Sequence, residues 1–142
     1  MVLAPKLSIY LFSFDKQMKI DLKHTQIELR SDGIVQINAS DFDYSFERVV
    51  ELNKALGEIT KGERKLVLII SCNLTNVSKE AREYMATPES TQFSIAEAFV
   101  IRSLGQKILA NFYMKVNKPT VLTKIFTSEA SAERWLLSLK ET

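Results

Sequence analysis

From Leu7 to Phe14 apolar residues fall on both parities, with Leu7, Ile9 and Leu11 set against Tyr10, Phe12 and Phe14. That pattern predicts a strand covered on both faces. Met18-Lys-Ile20-Asp-Leu22-Lys-His24 then alternates with period two, which marks a half-buried strand or the start of the segment that follows. After Thr25 the phase flips, because Ile27 and Leu29 now occupy the odd positions; a bulge or break near His24 accounts for it. Arg30-Ser31-Asp32-Gly33 predicts a tight hairpin, since Asp-Gly tolerates the positive φ that such a turn demands, and Ile34 to Asn38 is the returning strand.

The period then changes to that of a helix. Phe46, Val49, Leu52, Leu56 and Ile59 recur at three and four residues, with Glu47, Arg48, Glu51, Lys54 and Glu58 on the wet side. Asp43 or Ser45 caps this helix, which runs to about Thr60. Leu66-Val-Leu-Ile-Ile70 is a continuous apolar run of strand length and predicts a central strand. A second helix is predicted from Ser78 to about Ala86, stopped by Thr87 and Pro88. Ile95 to Ile101 reads as a strand. Ser103 opens a third helix, whose stripe is Leu104, Ile108, Leu109, Phe112 and Val116 and which Asn117-Lys118-Pro119 closes. Val121 to Phe126 is the last strand. Thr127 or Ser128 caps a final helix that turns Ala132, Trp135, Leu136 and Leu139 inward. The expected fold class is α/β: a mixed sheet with an N-terminal hairpin, followed by alternating helices and strands whose crossovers make parallel pairs.

Bulk properties narrow the class without choosing a function. The 142 residues fit one globular domain. With 46% apolar and 25% charged residues, a chain of this size buries roughly two-thirds of its unfolded surface and needs no staples. Its net charge of +2 is too small to imply nucleic acid or membrane. Cys72 is the sole cysteine, which fits a reducing compartment and a small buried residue. Pro5 and Lys6 interrupt any apolar core near the N-terminus, and no stretch reaches the ~20 apolar residues of a membrane span. A cytoplasmic location is expected.

The order of elements is similar to that of STAS domains, the fold of bacterial anti-sigma-factor antagonists. Two stretches resemble an uncharacterised STAS/SEC14-like branch of Bacteroidetes-type bacteria. They are Lys65-Leu-Val-Leu-Ile-Ile-Ser-Cys-Asn-Leu-Thr-Asn-Val-Ser-Lys-Glu-Ala-Arg-Glu-Tyr84 and Leu104-Gly-Gln-Lys-Ile-Leu-Ala-Asn-Phe-Tyr-Met-Lys-Val-Asn-Lys-Pro119. Thr123-Lys-Ile-Phe-Thr-Ser128 and the helix of Trp135 and Leu136 follow in register. The resemblance covers roughly residues 25–140, so a STAS-like domain is expected over 25–142 behind a strand-like extension over 1–24. In regulatory STAS proteins an Asp-Ser-Ser-Gly motif opens a helix, and its second serine is the phosphoacceptor. Laid on this chain, the motif falls on Ser78, Lys79, Glu80 and Ala81. A glutamate then stands at the acceptor position, a departure from the switch pattern. The resemblance implies a non-catalytic regulatory or protein-interaction module; the SEC14-like label implies the alternative of a small-ligand or lipid-binding domain.

Few residues carry chemistry. His24 is the sole histidine and reads as an incidental strand or surface residue; zinc sites need several His or Cys ligands. Gly33, Gly57, Gly62 and Gly105 are scattered, so no phosphate-cradling loop forms. Asp41 and Asp43 suit a solvated loop or a helix cap. Neither a cofactor, a metal nor a catalytic group is expected, and the chain reads as a non-enzyme. Ser78 reads first as an N-cap and second as a modified or ligand-contacting serine. Asn111, beside the third helix's stripe, reads as a buried asparagine tied to backbone or as the lining of a pocket. Charge distribution gives the sharpest hint: residues 98–128 hold Arg102, Lys107, Lys115, Lys118 and Lys124 and no Asp or Glu. Arg102, Lys107, Lys115 and Lys118 therefore outline a basic face for an acidic protein partner or an anionic head group, unless acids from elsewhere fold over them. A homo-oligomer is compatible with such a module; nucleic acid is not expected, because the nearby aromatics lie on the apolar stripe.

Overall fold

The structure, a computed structural model, describes residues 8–12 and 17–140. Four strands open the chain as an antiparallel meander: β1 (Ser8–Phe12), β2 (Gln17–Asp21), β3 (Thr25–Leu29) and β4 (Ile34–Ala39). The two described turns of the meander each hold a residue at positive φ. In the second, Gly33 sits at φ 89°, its N–H donating to Arg30 O at 3.0 Å, while Asp32 Oδ1 accepts from Ile34 N–H at 3.1 Å. In the first, Lys23 takes φ 77° and Leu22 N–H donates to Thr25 O at 2.9 Å. The phase flip near His24 is thus a hairpin turn, not a bulge. Whether β1 is covered on both faces concerns side chains outside the described residues.

The remaining elements are β5 (Asp43–Tyr44), α1 (Phe46–Ile59), β6 (Lys65–Ser71), β7 (Asn76–Val77), α2 (Lys79–Met85), β8 (Ser94–Val100), α3 (Leu104–Phe112), β9 (Leu122–Phe126) and α4 (Glu129–Leu139). A π-helical turn, Tyr113–Asn117, prolongs α3 and ends at Lys118 in the left-handed region, φ 54°. Serines cap all four helices: Ser45, Ser78, Ser103 and Ser128 each accept an N–H from the first turn. The main sheet runs β1-β2-β3-β4-β6-β8-β9, with β4, β6, β8 and β9 parallel. β5 and β7 form a separate two-stranded pair that the sequence pattern did not predict.

As predicted, β6 is central, flanked by β4 and β8, and Leu66, Val67, Leu68 and Ile70 are buried. Its side chains alternate between two cores. Val67 joins Ile20, Ile27, Val35 and Ile37 beneath Ala55, Leu56 and Ile59 of α1. On the opposite face Leu66, Leu68 and Ile70 join Ala96, Ala98 and Val100 beneath Ala132 and Leu136 of α4, with Trp135 against Phe126 at 5.7 Å. Ile20 and Leu22 from the N-terminal segment are part of the first core.

α3 lies on the same face as α1, over Phe99 and Ile125, and there the structure corrects the sequence reading. The predicted stripe points largely outward: Leu104 is 73% exposed, Ile108 64%, Phe112 45% and Val116 57%. Gln106 and Tyr113 are buried instead, with Leu109 and Ala110 half-buried between them. Polar anchoring accounts for the choice of face. Gln106 Oε1 accepts from Arg102 N–H at 2.7 Å and its Nε2 donates to Leu74 O at 2.9 Å, while the Tyr113 ring meets Phe99 edge-on at 6.1 Å. Asn111 is exposed, so it is not the buried asparagine that its place beside the stripe suggested.

Candidate functional site

Along α3 the outward residues sit four apart, at 104, 108, 112 and 116, and so form one apolar ridge. The ridge spans about 18 Å at 1.5 Å per residue. Lys107, Asn111 and Lys115 run along its flank and Lys118 closes its C-terminal end, all four exposed. No carboxylate lies within 4.0 Å of Lys107, Lys115 or Lys118 among the described residues. Arg102 differs: its Nη2 pairs with Glu129 Oε2 of α4 at 2.8 Å, both half-exposed. An acid from elsewhere in the fold therefore neutralises one of the four predicted cations. Lys124 stacks over Phe126 and Trp135, at 5.5 and 5.9 Å from their rings, on the α4 side of the sheet. What remains around α3 is a ridge of four large apolar side chains with three unneutralised lysines.

The predicted regulatory loop lies elsewhere, at the start of α2. Ser78 Oγ accepts from Ala81 N–H at 3.1 Å, the ordinary work of an N-cap. Lys79 and Glu80 are exposed in the first turn, and Lys79 approaches Glu83 at 4.0 Å. Ser78, Glu80 and Tyr84 line an open cleft that Ser45 and Phe46 of α1 complete. The two sets of predicted residues do not form one site.

His24 is not an incidental residue. It is buried in the β2–β3 turn, where Nε2 lies 3.0 Å from Glu51 Oε1 and Nδ1 lies 2.7 Å from Thr25 Oγ1. Thr25 Oγ1 also meets the Tyr44 hydroxyl at 2.7 Å, and that hydroxyl donates to the His24 carbonyl. Tyr44 and Thr25 have one hydroxyl proton each; Tyr44 gives its own to the His24 carbonyl, so Thr25 gives its own to Tyr44 and its oxygen accepts from Nδ1–H of the ring. Hydroxyl, imidazole and carboxylate stand in a row like the parts of a nucleophile with its base and orienting acid, although here the ring donates to the hydroxyl and does not take its proton. Thr25 has no exposed surface, however, so no substrate carbonyl can approach its oxygen. The network ties the β2–β3 hairpin to α1 and to Tyr44. Among the described residues no group of three or more His, Cys, Asp or Glu is placed to hold a metal ion.

Sequence reasoning missed a set of buried polar groups on the α1–α3 face. Glu97, in the middle of β8, is buried with only the Ser94 hydroxyl donating to it, at 2.7 Å. Burial pushes its carboxyl up to about 7, against the partial counter-effect of that hydrogen bond. Tyr113 is buried too, and its phenol is pushed well above its usual range by burial first and by the nearby Glu97 second. Asn53 Nδ2 donates to the Tyr84 hydroxyl at 2.9 Å, but Asn53 Oδ1 is buried without a partner. The signal was present in part: Asn53 breaks the apolar stripe of α1 and Glu97 interrupts an otherwise apolar strand.

Residues 27–140 match the family model described as Domain of unknown function (DUF7793). The chain belongs to that family. This DUF7793 chain also resembles a solved structure, that of an uncharacterized protein from the DUF3478 family of Shewanella loihica PV-4, described as having a SpoIIAA-like fold. The alignment covers 92% of this chain and 91% of that one, with a TM-score of 0.52 and 14% identity. The chain thus has the SpoIIAA-like fold that its resemblance to STAS domains implied, and at that identity the likeness reaches no further than the fold. No curated protein matches the DUF7793 chain significantly in sequence.

Proposed function

We propose that this DUF7793 domain is a non-catalytic interaction module, and that it docks an acidic protein partner on the outward face of α3. One observation carries the reading: Leu104, Ile108, Phe112 and Val116 stand exposed in one row beside Lys107, Lys115 and Lys118. Burying a large apolar side chain is worth about 1.5–3 kcal/mol, so four left in water on one ridge are a reserve for association. A convex ridge with anchors at four-residue spacing suits a groove, the mode in which an amphipathic helix is read by its apolar face. The lysines select the partner. A second copy would bring the same three cations onto the same patch and repel, whereas a groove rimmed by Asp and Glu complements them and speeds encounter. The burial of Thr25 supports the non-catalytic part, because the one hydroxyl–imidazole–carboxylate chain is closed to substrate. No described helix is long and apolar enough to cross a membrane.

The test is a photo-crosslinking amino acid placed at Ile108, or at the exposed Arg134 of α4 as control, in the host cell. The expected result is a protein crosslinked from position 108 and not from 134, carrying an acidic surface at the crosslinked peptide. Crosslinks at both positions or at neither overturn the docking face. Flotation of the purified domain with phosphatidylglycerol vesicles, without any protein crosslink, would replace the protein partner by a membrane surface.

A further inference from the structure

Besides the α3 ridge, the molecule exposes a second apolar surface. An open cleft of about 700 Å³ lies where the first turn of α1 faces α2, and its surface is mostly apolar. Phe46 and Tyr84 line it, packed edge to face at 5.4 Å between ring centroids, and Phe46 is still 42% exposed. Glu47, Glu80 and Glu83 line it too, all three exposed. Among the described residues no cation lies within 4.0 Å of Glu47 or Glu80, and Glu83 meets only Lys79, at 4.0 Å. An exposed pair of that kind holds its members weakly, so the cleft stays acidic. The acids alone would be a solvated rim. What makes the cleft a docking surface is the exposed aromatic pair between them and the complementary ridge on the same chain.

We infer that this cleft receives the α3 ridge of a second copy of the chain. The inference rests on the docking reading and names its partner. That reading calls for an apolar groove rimmed by acids, and this cleft is one. Two ridges brought together set lysine against lysine, whereas a ridge in a cleft sets Lys107 and Lys115 against Glu47, Glu80 and Glu83. The apolar parts match as well. Ile108 and Phe112, in the middle of the ridge, cover Phe46 and Tyr84, which takes large exposed side chains out of water on both sides. Lysine ammonium groups are also drawn to the faces of aromatic rings. No residue belongs to both surfaces, so one copy gives its ridge while its own cleft is free to receive another.

Sedimentation velocity of the full chain, from micromolar to millimolar concentration at low salt, reads the contact. Wild type is expected to associate, and to do so less as salt shortens the screening length toward about 10 Å at 0.1 M. Lys107→Glu/Lys115→Glu sets acids against acids, and Glu80→Lys/Glu83→Lys sets lysines against lysines. Each variant alone should associate at least about tenfold more weakly. Mixed in equal amounts, the second variant's intact ridge meets the first variant's intact cleft, and association should return. Circular dichroism checks that both variants fold. A photo-crosslinker at Ile108 needs no charge reversal, and its crosslinked peptide should contain residues 80–84 of a second copy. Three results would overturn the inference: wild type that stays monomeric up to millimolar concentration, folded variants that do not recover on mixing, or crosslinks from position 108 to a different protein alone. In the last case the docking reading stands; no crosslink at all removes both.

Discussion

Glu97 sits on the helix-covered face of β8 because its neighbours in alternation, Ala96 and Ala98, fill the opposite core. Its environment is mostly apolar and holds no cation among the described residues, with Ser94, Asn53, Ser90 and Tyr113 as the polar groups nearby, so the charged form is the one penalised. The carboxyl is raised from 4.5 to about 7, so between these values the folded state holds a proton that the unfolded state has released. Stability is then greatest below about pH 4.5 as far as this group is concerned, and it falls as pH rises through 7. The whole effect is about 3 kcal/mol at about 1.4 kcal/mol per pH unit. Glu97→Gln keeps the acceptor for Ser94 and removes the charge. Urea melts from pH 5 to 8 should show wild-type stability dropping over that window and the variant nearly flat; parallel curves would mean that the carboxyl is not desolvated as described. The sequence shows Glu97 as one acid within an apolar strand but not the face on which it lies. Its burial depends on which face β8 turns to α1, and that is decided by pairing with β6.

At the scale of elements, sequence was most informative where physics is local. The Asp32-Gly33 turn, the four serine caps and the apolar run of β6 are set by φ preference, hydrogen bonding at helix ends and side-chain periodicity over a few residues. The facing of α3 is different. Two helical faces both carry apolar side chains, and periodicity identifies a stripe without saying whether it points in or out. Gln106 and Tyr113 decide it, through contacts with Leu74 and Phe99 that are distant in sequence. Arg102 shows the same limit, since its partner Glu129 lies 27 residues on. Stability measurements separate the two readings of this helix. Ile108→Ser with Phe112→Ser should shift stability by less than about 1 kcal/mol, as exposed substitutions do. Leu136→Ala, in the core under α4, should cost about 2–5 kcal/mol. A loss of core size from the α3 pair would mean that the stripe faces inward after all.

Across the whole molecule, the seven-stranded sheet, with α1, α2 and α3 toward one face and α4 on the other, leaves a row of large apolar side chains in water along α3 and the turn that prolongs it. The stretch from 98 to 128 carries no acid, and among the described residues four of its five cations meet no carboxylate, Lys124 resting instead on aromatic rings. Stability gives no reason for either feature, because exposed apolar ridges favour aggregation and clustered like charges repel. Docking accounts for both. The most direct measurement is the affinity of the purified crosslinked partner for three proteins across a salt series: wild type, Ile108→Ser/Phe112→Ser and Lys107→Glu/Lys115→Glu. The account predicts at least about a tenfold loss for each variant. It also predicts a wild-type affinity that weakens as salt shortens the screening length from about 10 Å at 0.1 M, with that slope reduced in the lysine variant. Equal affinity for all three proteins, with one common salt slope, would contradict it.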